Sequence, residues 1–447
     1  MIRDFTLRLV TATVVLGNSI SCGAQQPPIR HVDEKVLREY SGVYQWDPDT
    51  FVYLQLWSEL SGTNQLVAFD ESGDVRTLYP TGGDHFFAGP GAAISSSVES
   101  RIDFQRDAAG QIAALIWRRD GTPRIARRVD IEKREDVRFA NGDVRLAGTL
   151  IVPNTLASHP AIILVHASGA EDREYLLPFA RFLIRRGFAV LGYDKRGIGG
   201  STGDWHTATF PDLAGDVVAA FEYLKTRPDI DPARIGLLGW SQAGWVMPLA
   251  AVRAPDIAFL VSVSGPGISA AETTLDQAQN EMNASGMKPE VVRQIVDLMK
   301  LQYEFARTRQ GWEDYLAARD KLAARFGRAP DQFPATTTDP YWDFIRRLYF
   351  YDPALTLRQL KVPTLALFGE LDDNILPEKN KAAWDAALRA AGNPDYTLRI
   401  LPRANHLMLE AHTGNNAEMA SLSRFAPSYY ETVREWLATR VSSSRSR

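Results

Sequence analysis

The chain has 447 residues, 50 Lys+Arg against 54 Asp+Glu, and a formal charge of −4, with 45% hydrophobic and 23% charged residues. That is ordinary for a globular protein of two or three domains, at about 150 residues each, and it offers no basic stripe for a nucleic-acid backbone. The single cysteine, Cys22, excludes a disulfide framework, a thiolate zinc site and an iron–sulfur cluster together.

The N-terminus carries Arg3 and Arg8, then an apolar run from Leu9 to Ile20, then the small residues Ser21, Cys22, Gly23 and Ala24. A charged start, an apolar stretch too short for a bilayer and a small-residue exit describe a secretory signal over residues 1–24 and hence an exported protein, periplasmic, envelope-anchored or secreted. Cleavage before Cys22 would leave a thiol for lipid attachment, Ser19-Ile20-Ser21-Cys22 resembling a lipobox with an atypical first residue; cleavage after Ala24 would discard the cysteine. The alternative is an apolar N-terminus that is retained.

Residues 30–134 read as a small antiparallel β domain, a sandwich or barrel. Phe51–Trp57 is rich in β-branched and aromatic residues, and turn signals recur at Ser61-Gly62, Ser72-Gly73-Asp74, Gly82-Gly83-Asp84, Ala109-Gly110 and Asp120-Gly121. From Glu135 the texture changes. Asn141-Gly142 centres a hairpin with a tight primed turn, and the apolar strands Ala161–Val165, Phe188–Tyr193, Arg234–Gly239, Ala258–Val263, Pro363–Gly369 and Tyr396–Leu401 then alternate with amphipathic helices. Near-continuous apolar strands are covered on both faces, so residues 135–441 form an α/β domain with a mostly parallel, doubly wound sheet. Residues from about 269 to 347 interrupt the alternation with helical periodicity and the aromatics Trp312, Tyr315, Tyr341, Trp342 and Phe344. That insertion forms a cap, and its aromatics either shape an apolar pocket or pack the cap itself.

Gly239-Trp240-Ser241-Gln242-Ala243-Gly244 lies where a buried strand gives way to a helix. A sharp turn there lifts a serine hydroxyl clear of the sheet and needs small flanking residues; the expected pattern is G-x-S-x-G, with Ala243 at its last position here. A serine needs a base, and where the partners follow in the order Ser, acid, His, only His406 and His412 qualify. His406 comes directly after the last strand, whereas His412 lies further on in a surface loop. The acid belongs in Gly369-Glu370-Leu371-Asp372-Asp373-Asn374. The G-E-x-D spacing favours Asp372, with Asp373 the alternative because the segment runs one residue longer than usual before Pro377. The oxyanion donors are expected to be the backbone N–H of Gln242 and, from His166-Ala167-Ser168-Gly169, that of Ala167, with Ser168 close behind. The His166 side chain reads as structural.

His166–Gly169, Tyr193–Ser201, the turn at Ser241, Gly369–Asp372 and Asn405-His406 occur in one order over roughly 300 residues. In this, residues from about 136 to 441 resemble the α/β-hydrolase superfamily, in its esterase and prolyl-oligopeptidase-like branch. The resemblance implies a two-step acyl-enzyme mechanism with a Ser241–His406–Asp372 triad, no metal or organic cofactor, and a small ester or short acyl or peptidyl substrate. It makes Asp194 and Arg196 structural pins of a loop rather than site residues. Cleavage of carboxylic esters is the expected activity; a peptidase is the nearest rival, and a non-catalytic binding protein on the same scaffold the next. A full propeller would need far more than the roughly 100 residues of the β domain.

Overall fold

The computed structural model describes residues 27–57, 65–155, 158–175, 179–327, 330 and 332–442; the signal segment with Cys22, and the turn expected at Ser61-Gly62, lie outside the described residues. The chain divides into two compact units, one made of residues up to Asp130 together with Met419–Arg424, the other of Ile131–Glu418 and Phe425–Arg447.

The first unit begins with helix α1 (Glu34–Tyr40), whose N-terminus is capped by the Asp33 side chain on the Lys35 N–H. Eight antiparallel strands follow, β1 (Gly42–Asp47), β2 (Thr50–Leu56), β3 (Leu66–Asp70), β4 (Val75–Gly82), β5 (His85–Ala88), β6 (Ser100–Arg106), β7 (Ile112–Arg119) and β8 (Thr122–Val129). They pair in sequence order, and β1 pairs with β8, so the sheet closes into a barrel and leaves no open edge. Alternate residues fill the interior: Tyr44, Leu54, Ala68, Leu78, Phe86, Ile102, Phe104, Leu115 and Ala126, joined by Leu37 and Tyr40 of α1. The domain was expected to be one continuous stretch; instead Met419–Arg424 completes it, with Val75 N–H donating to Ser423 O at 2.9 Å and an isolated bridge between Asp74 and Arg424.

In the second unit, β9 (Glu132–Asn141) and β10 (Val144–Pro153) form the expected hairpin, its two-residue loop being Gly142-Asp143, one position later than expected. The strands β11 (His159–Val165), β12 (Ala189–Tyr193), β13 (Ile230–Trp240), β14 (Leu260–Val263), β15 (Thr364–Gly369) and β16 (Tyr396–Leu401) complete an eight-stranded sheet. Its order is β16-β15-β14-β13-β11-β12-β10-β9. β9 and β10 are antiparallel, and β11 to β16 run parallel. The central strands are buried along most of their length, which is why they read as apolar runs. Among the crossover helices are α2 (Ala180–Ile184), α3 (Phe210–Lys225) and α4 (Ala243–Arg253). All six parallel strands end on one edge, where the loops after β11, β13, β15 and β16 converge, the usual place for a site in an open α/β sheet.

The insertion after β14 is helical: α5 (Ala270–Ala284), α6 (Pro289–Thr308), α7 (Trp312–Phe326), α8 (Tyr341–Leu348) and α9 (Pro353–Leu357). Its aromatics pack the cap. Trp342 and Tyr315 are fully buried, with ring centroids 5.3 Å apart and Phe305 4.8 Å from Trp342; Tyr315 Oη donates to Pro334 O and Trp342 Nε1 to Thr336 O. Two more helices, α10 (Pro377–Ala391) and α11 (Tyr429–Ser442), flank the last strands in sequence. Truncating Trp342 to alanine should therefore destabilise the cap by about 3–5 kcal/mol. Hydrogen exchange would show this as lost protection across residues 289–348, with the barrel strands unchanged.

Candidate active site

Ser241 follows β13 at once and has φ of 51°, a left-handed conformation rare for a residue with a side chain. Two glycines make the turn tight enough to require it. A Cβ on Gly239 would stand 2.5 Å from the Ala243 Cβ and 2.7 Å from Val165 O, and one on Gly244 would stand 2.6 Å from the Gly265 Cα. Ala243 thus takes the last place of the pattern because its methyl group is accommodated only against a glycine. The turn is held by the Ser241 N–H donating to Val263 O at 3.0 Å and the Gly244 N–H donating to Ser241 O at 2.8 Å. Ser241 and Gln242 are half-buried, and the Gln242 N–H, at the mouth of α4, has no acceptor among the described residues.

The loop after β15 carries Asp372, whose side chain is fully buried. Its Oδ1 accepts from the N–H groups of Asn374 at 3.0 Å and Ile375 at 2.8 Å, and its Oδ2 lies 2.8 Å from His406 Nδ1. The His406 loop is shaped by Asn405, buried to 1% exposure, whose Oδ1 accepts from the N–H groups of Leu407 and Leu409. The Leu371 N–H donates to Ala404 O at 2.8 Å and ties the acid loop to the histidine loop. The Ser264 hydroxyl, next along from the carbonyl that holds Ser241, donates to His406 O at 3.0 Å. Adjacent residues at the end of β14 therefore anchor the serine turn and the histidine loop. His412 is exposed.

Asp373, the alternative acid, makes no bond to His406: its Oδ1 is buried without a hydrogen-bond partner among the described residues. Burial, and then the neighbouring Asp372 charge, push its carboxyl up to about 6.

The loop after β11 departs from expectation at one residue. The Ala167 N–H donates to the buried Glu171 carboxylate at 2.8 Å, so this amide is already engaged and is not open to an incoming oxyanion. The Ser168 N–H has no acceptor among the described residues. A carboxylate four positions downstream, folding back on its own loop, is the feature that reading His166–Gly169 alone misses. The buried His166 ring lies 2.6 Å through Nε2 from Tyr193 O, and burial, reinforced by the Lys195 charge, pulls its pKa down to about 3, so it is neutral. Asp194 accepts from Arg173 and from the Gly200 N–H, and Arg196 forms a paired contact with Asp216 at 2.7 Å through both carboxylate oxygens. Both hold the loop after β12.

A family model described as the alpha/beta hydrolase family matches residues 162–419, more than half of the chain. Esterase EstD of Thermotoga maritima is 24% identical over 271 residues, which cover 59% of this chain and 58% of that protein. The quorum-quenching protein AidA of Acinetobacter baumannii is 32% identical over 110 residues, 24% of this chain and 36% of that one. The chain thus spans well under two thirds of the length of either relative. A solved Pyrococcus furiosus esterase aligns with a TM-score of 0.43 at 17% identity, covering 69% of this chain and 91% of that one. With the strand order, the left-handed serine after β13 and the family match over residues 162–419 together, the chain belongs to the α/β-hydrolase family.

Proposed function

We propose that the protein is a serine hydrolase that cleaves carboxylic esters through an acyl-enzyme. The observation that carries the reading is the Asp372–His406 pair at 2.8 Å, on the same sheet edge as the strained Ser241. In this mechanism Asp372 accepts a hydrogen bond from His406 Nδ1–H and fixes the tautomer, leaving Nε2 as the base. His406 takes the Ser241 Oγ proton as Oγ attacks the ester carbonyl carbon. The N–H groups of Gln242 and Ser168 receive the oxyanion. Collapse expels the alcohol with the proton carried by His406. Water, deprotonated by the same His406, then releases the carboxylic acid and returns the proton to Ser241. Every group used comes from the chain itself. The esterase named among its relatives is consistent with an ester substrate. The rival peptidase branch differs in that its N-terminal domain is a propeller, whereas residues 42–129 here form one closed barrel.

A fluorophosphonate probe should label Ser241, and Ser241→Ala should abolish labelling and lower kcat/KM on p-nitrophenyl acyl esters by about 10⁴-fold or more. Absence of labelling in the wild type would sink the reading, and turnover of aminoacyl anilides above the esters would transfer it to a peptidase.

The two acids separate by opposite outcomes. Asp372→Asn should lower kcat by about 10³–10⁴-fold, because the imidazole loses its tautomer and its counter-charge. Asp373→Asn should leave kcat within a few-fold and stabilise the fold at high pH. The sign follows from the Asp373 carboxyl, which titrates near 6 folded against an ordinary 3.8 unfolded. Between those values the folded state holds the extra proton, so stability falls as pH rises through about 6. The Asp373→Asn advantage in thermal melts should therefore be larger at pH 8 than at pH 5; the reverse order would refute the assignment.

Export on residues 1–24 belongs to the same proposal. Mass spectrometry of the mature protein would show an N-terminus at a lipidated Cys22 or at Gln25, and an intact Met1 in exported material would contradict it.

A further inference from the structure

Lys195 is the least expected side chain beneath this site: a lysine only 2% exposed, two residues beyond β12. Lysine ammonium groups are strongly hydrated, and burying one costs several kcal/mol unless its donors are matched. Here each of its three protons has an acceptor, with Nζ 2.7 Å from Ala167 O, 2.8 Å from Gly169 O and 3.5 Å from Gln242 Oε1. The Trp205 ring centroid lies 5.4 Å away. Burial lowers the Lys195 pKa, and the nearby Glu171 carboxylate offsets only part of that. Glu171 meanwhile holds the Ala167 N–H, and its own carbonyl accepts the Lys195 N–H at 3.1 Å.

The two carbonyls gripped by Lys195 flank Ser168. Ala167 C=O and Ser168 N–H belong to one peptide plane, and there is no cis peptide bond among the described residues. In a planar trans peptide the C=O and N–H point in opposite directions. Fixing Ala167 O on the ammonium therefore fixes the Ser168 N–H to point away from it. The positive charge on the oxygen end also polarises that N–H and makes it a stronger donor. Through Gln242 Oε1 the same ammonium reaches the residue whose backbone N–H is the other expected donor.

Resting on the serine-hydrolase reading above, we propose that Lys195 is the positioning residue of the oxyanion hole: its buried ammonium aims and polarises the Ser168 N–H and ties the loop after β11 to the turn at Gln242. It touches no substrate. Its effect belongs to the transition state, where charge collects on the substrate oxygen, and not to ground-state binding.

The test compares wild type, Lys195→Met, Lys195→Arg and Gln242→Leu on a p-nitrophenyl ester, with fluorophosphonate labelling rates alongside. Lys195→Met should lower kcat and the labelling rate by about 10–100-fold, less than the ~10²–10³-fold of a lost oxyanion donor because the N–H is misaimed and not removed, with KM within about twofold. Lys195→Arg, which keeps the charge and donors, should recover part of that loss. Gln242→Leu keeps its backbone N–H and cuts only the longest tie, so a smaller fall in kcat at unchanged KM is expected; it carries the test if Lys195→Met does not fold. A folded Lys195→Met with wild-type kcat would overturn the proposal. So would a loss expressed only in KM, or, where Lys195→Met does not fold, a Gln242→Leu enzyme with unchanged kcat. A wild type that neither labels nor hydrolyses ester overturns the parent reading instead, and this one with it.

Discussion

Ser241 is held where a residue with a Cβ does not ordinarily rest, and much of the site follows from that. A left-handed φ costs a non-glycine residue about 1–2 kcal/mol, and the penalty persists because β13 is a central strand that cannot shift. On one side Gly239 is pressed against Val165 O and the Ala243 methyl; on the other Gly244 meets the Gly265 backbone. Relaxing the turn would drive one of these contacts apart and open the sheet between β11, β13 and β14. The strain has two chemical consequences. It stands the hydroxyl off the sheet edge, and it starts α4 so abruptly that the Gln242 N–H has no acceptor among the described residues, at the positive end of a helix.

Beside that turn lies a cluster of charged side chains, most of them buried. Lys195, Glu171, Asp194, Arg173, Arg196 and Asp216 lie in the loops after β11 and β12 and on α3, and each has a partner of opposite charge or a set of backbone groups. His166 shows how the signs are arranged. Burial, reinforced by the Lys195 charge, keeps its ring neutral far below an ordinary histidine pKa. The local field near Ser168 therefore comes from Lys195 and Glu171 and not from a second titrating imidazole. Charges already held by neighbouring groups need little reorganisation when an oxyanion forms, which is where preorganisation has its value.

Legibility in the sequence tracked how local the determining contacts are. The six parallel strands could be read as apolar runs, and Ser241 and His406 could be located by their places after β13 and β16, because strand and turn chemistry are written in consecutive residues. The helical insertion was legible as helical, but whether Trp312, Tyr315 and Trp342 faced a pocket or each other was not; helix periodicity marks an apolar face without naming its partner. Ala167 was misread for a related reason. Nothing in His166–Gly169 announces that Glu171 turns back onto the Ala167 N–H. The place of Met419–Arg424 in the β domain was not legible, since its pairing to Val75 and Ala92 joins positions more than 300 residues apart.

The acid loop shows how an irregular sequence can still set a carboxylate on the histidine loop. Gly369-Glu370-Leu371-Asp372-Asp373-Asn374 is one residue longer than its pattern, and an extra residue ordinarily turns every later side chain aside. Here the surplus is absorbed after Asp372 rather than before it. Asp372 Oδ1 draws in the N–H groups of Asn374 and Ile375, closing the chain tightly around the carboxylate, while Oδ2 remains on His406. Asp373 is the residue left over, its Oδ1 buried without a hydrogen-bond partner among the described residues and its carboxyl pushed up to about 6 by burial and the Asp372 charge. Its carbonyl is not left over: Asn280 of α5 donates to it at 2.9 Å. A cap helix therefore braces the loop at the one residue that the carboxylate does not secure.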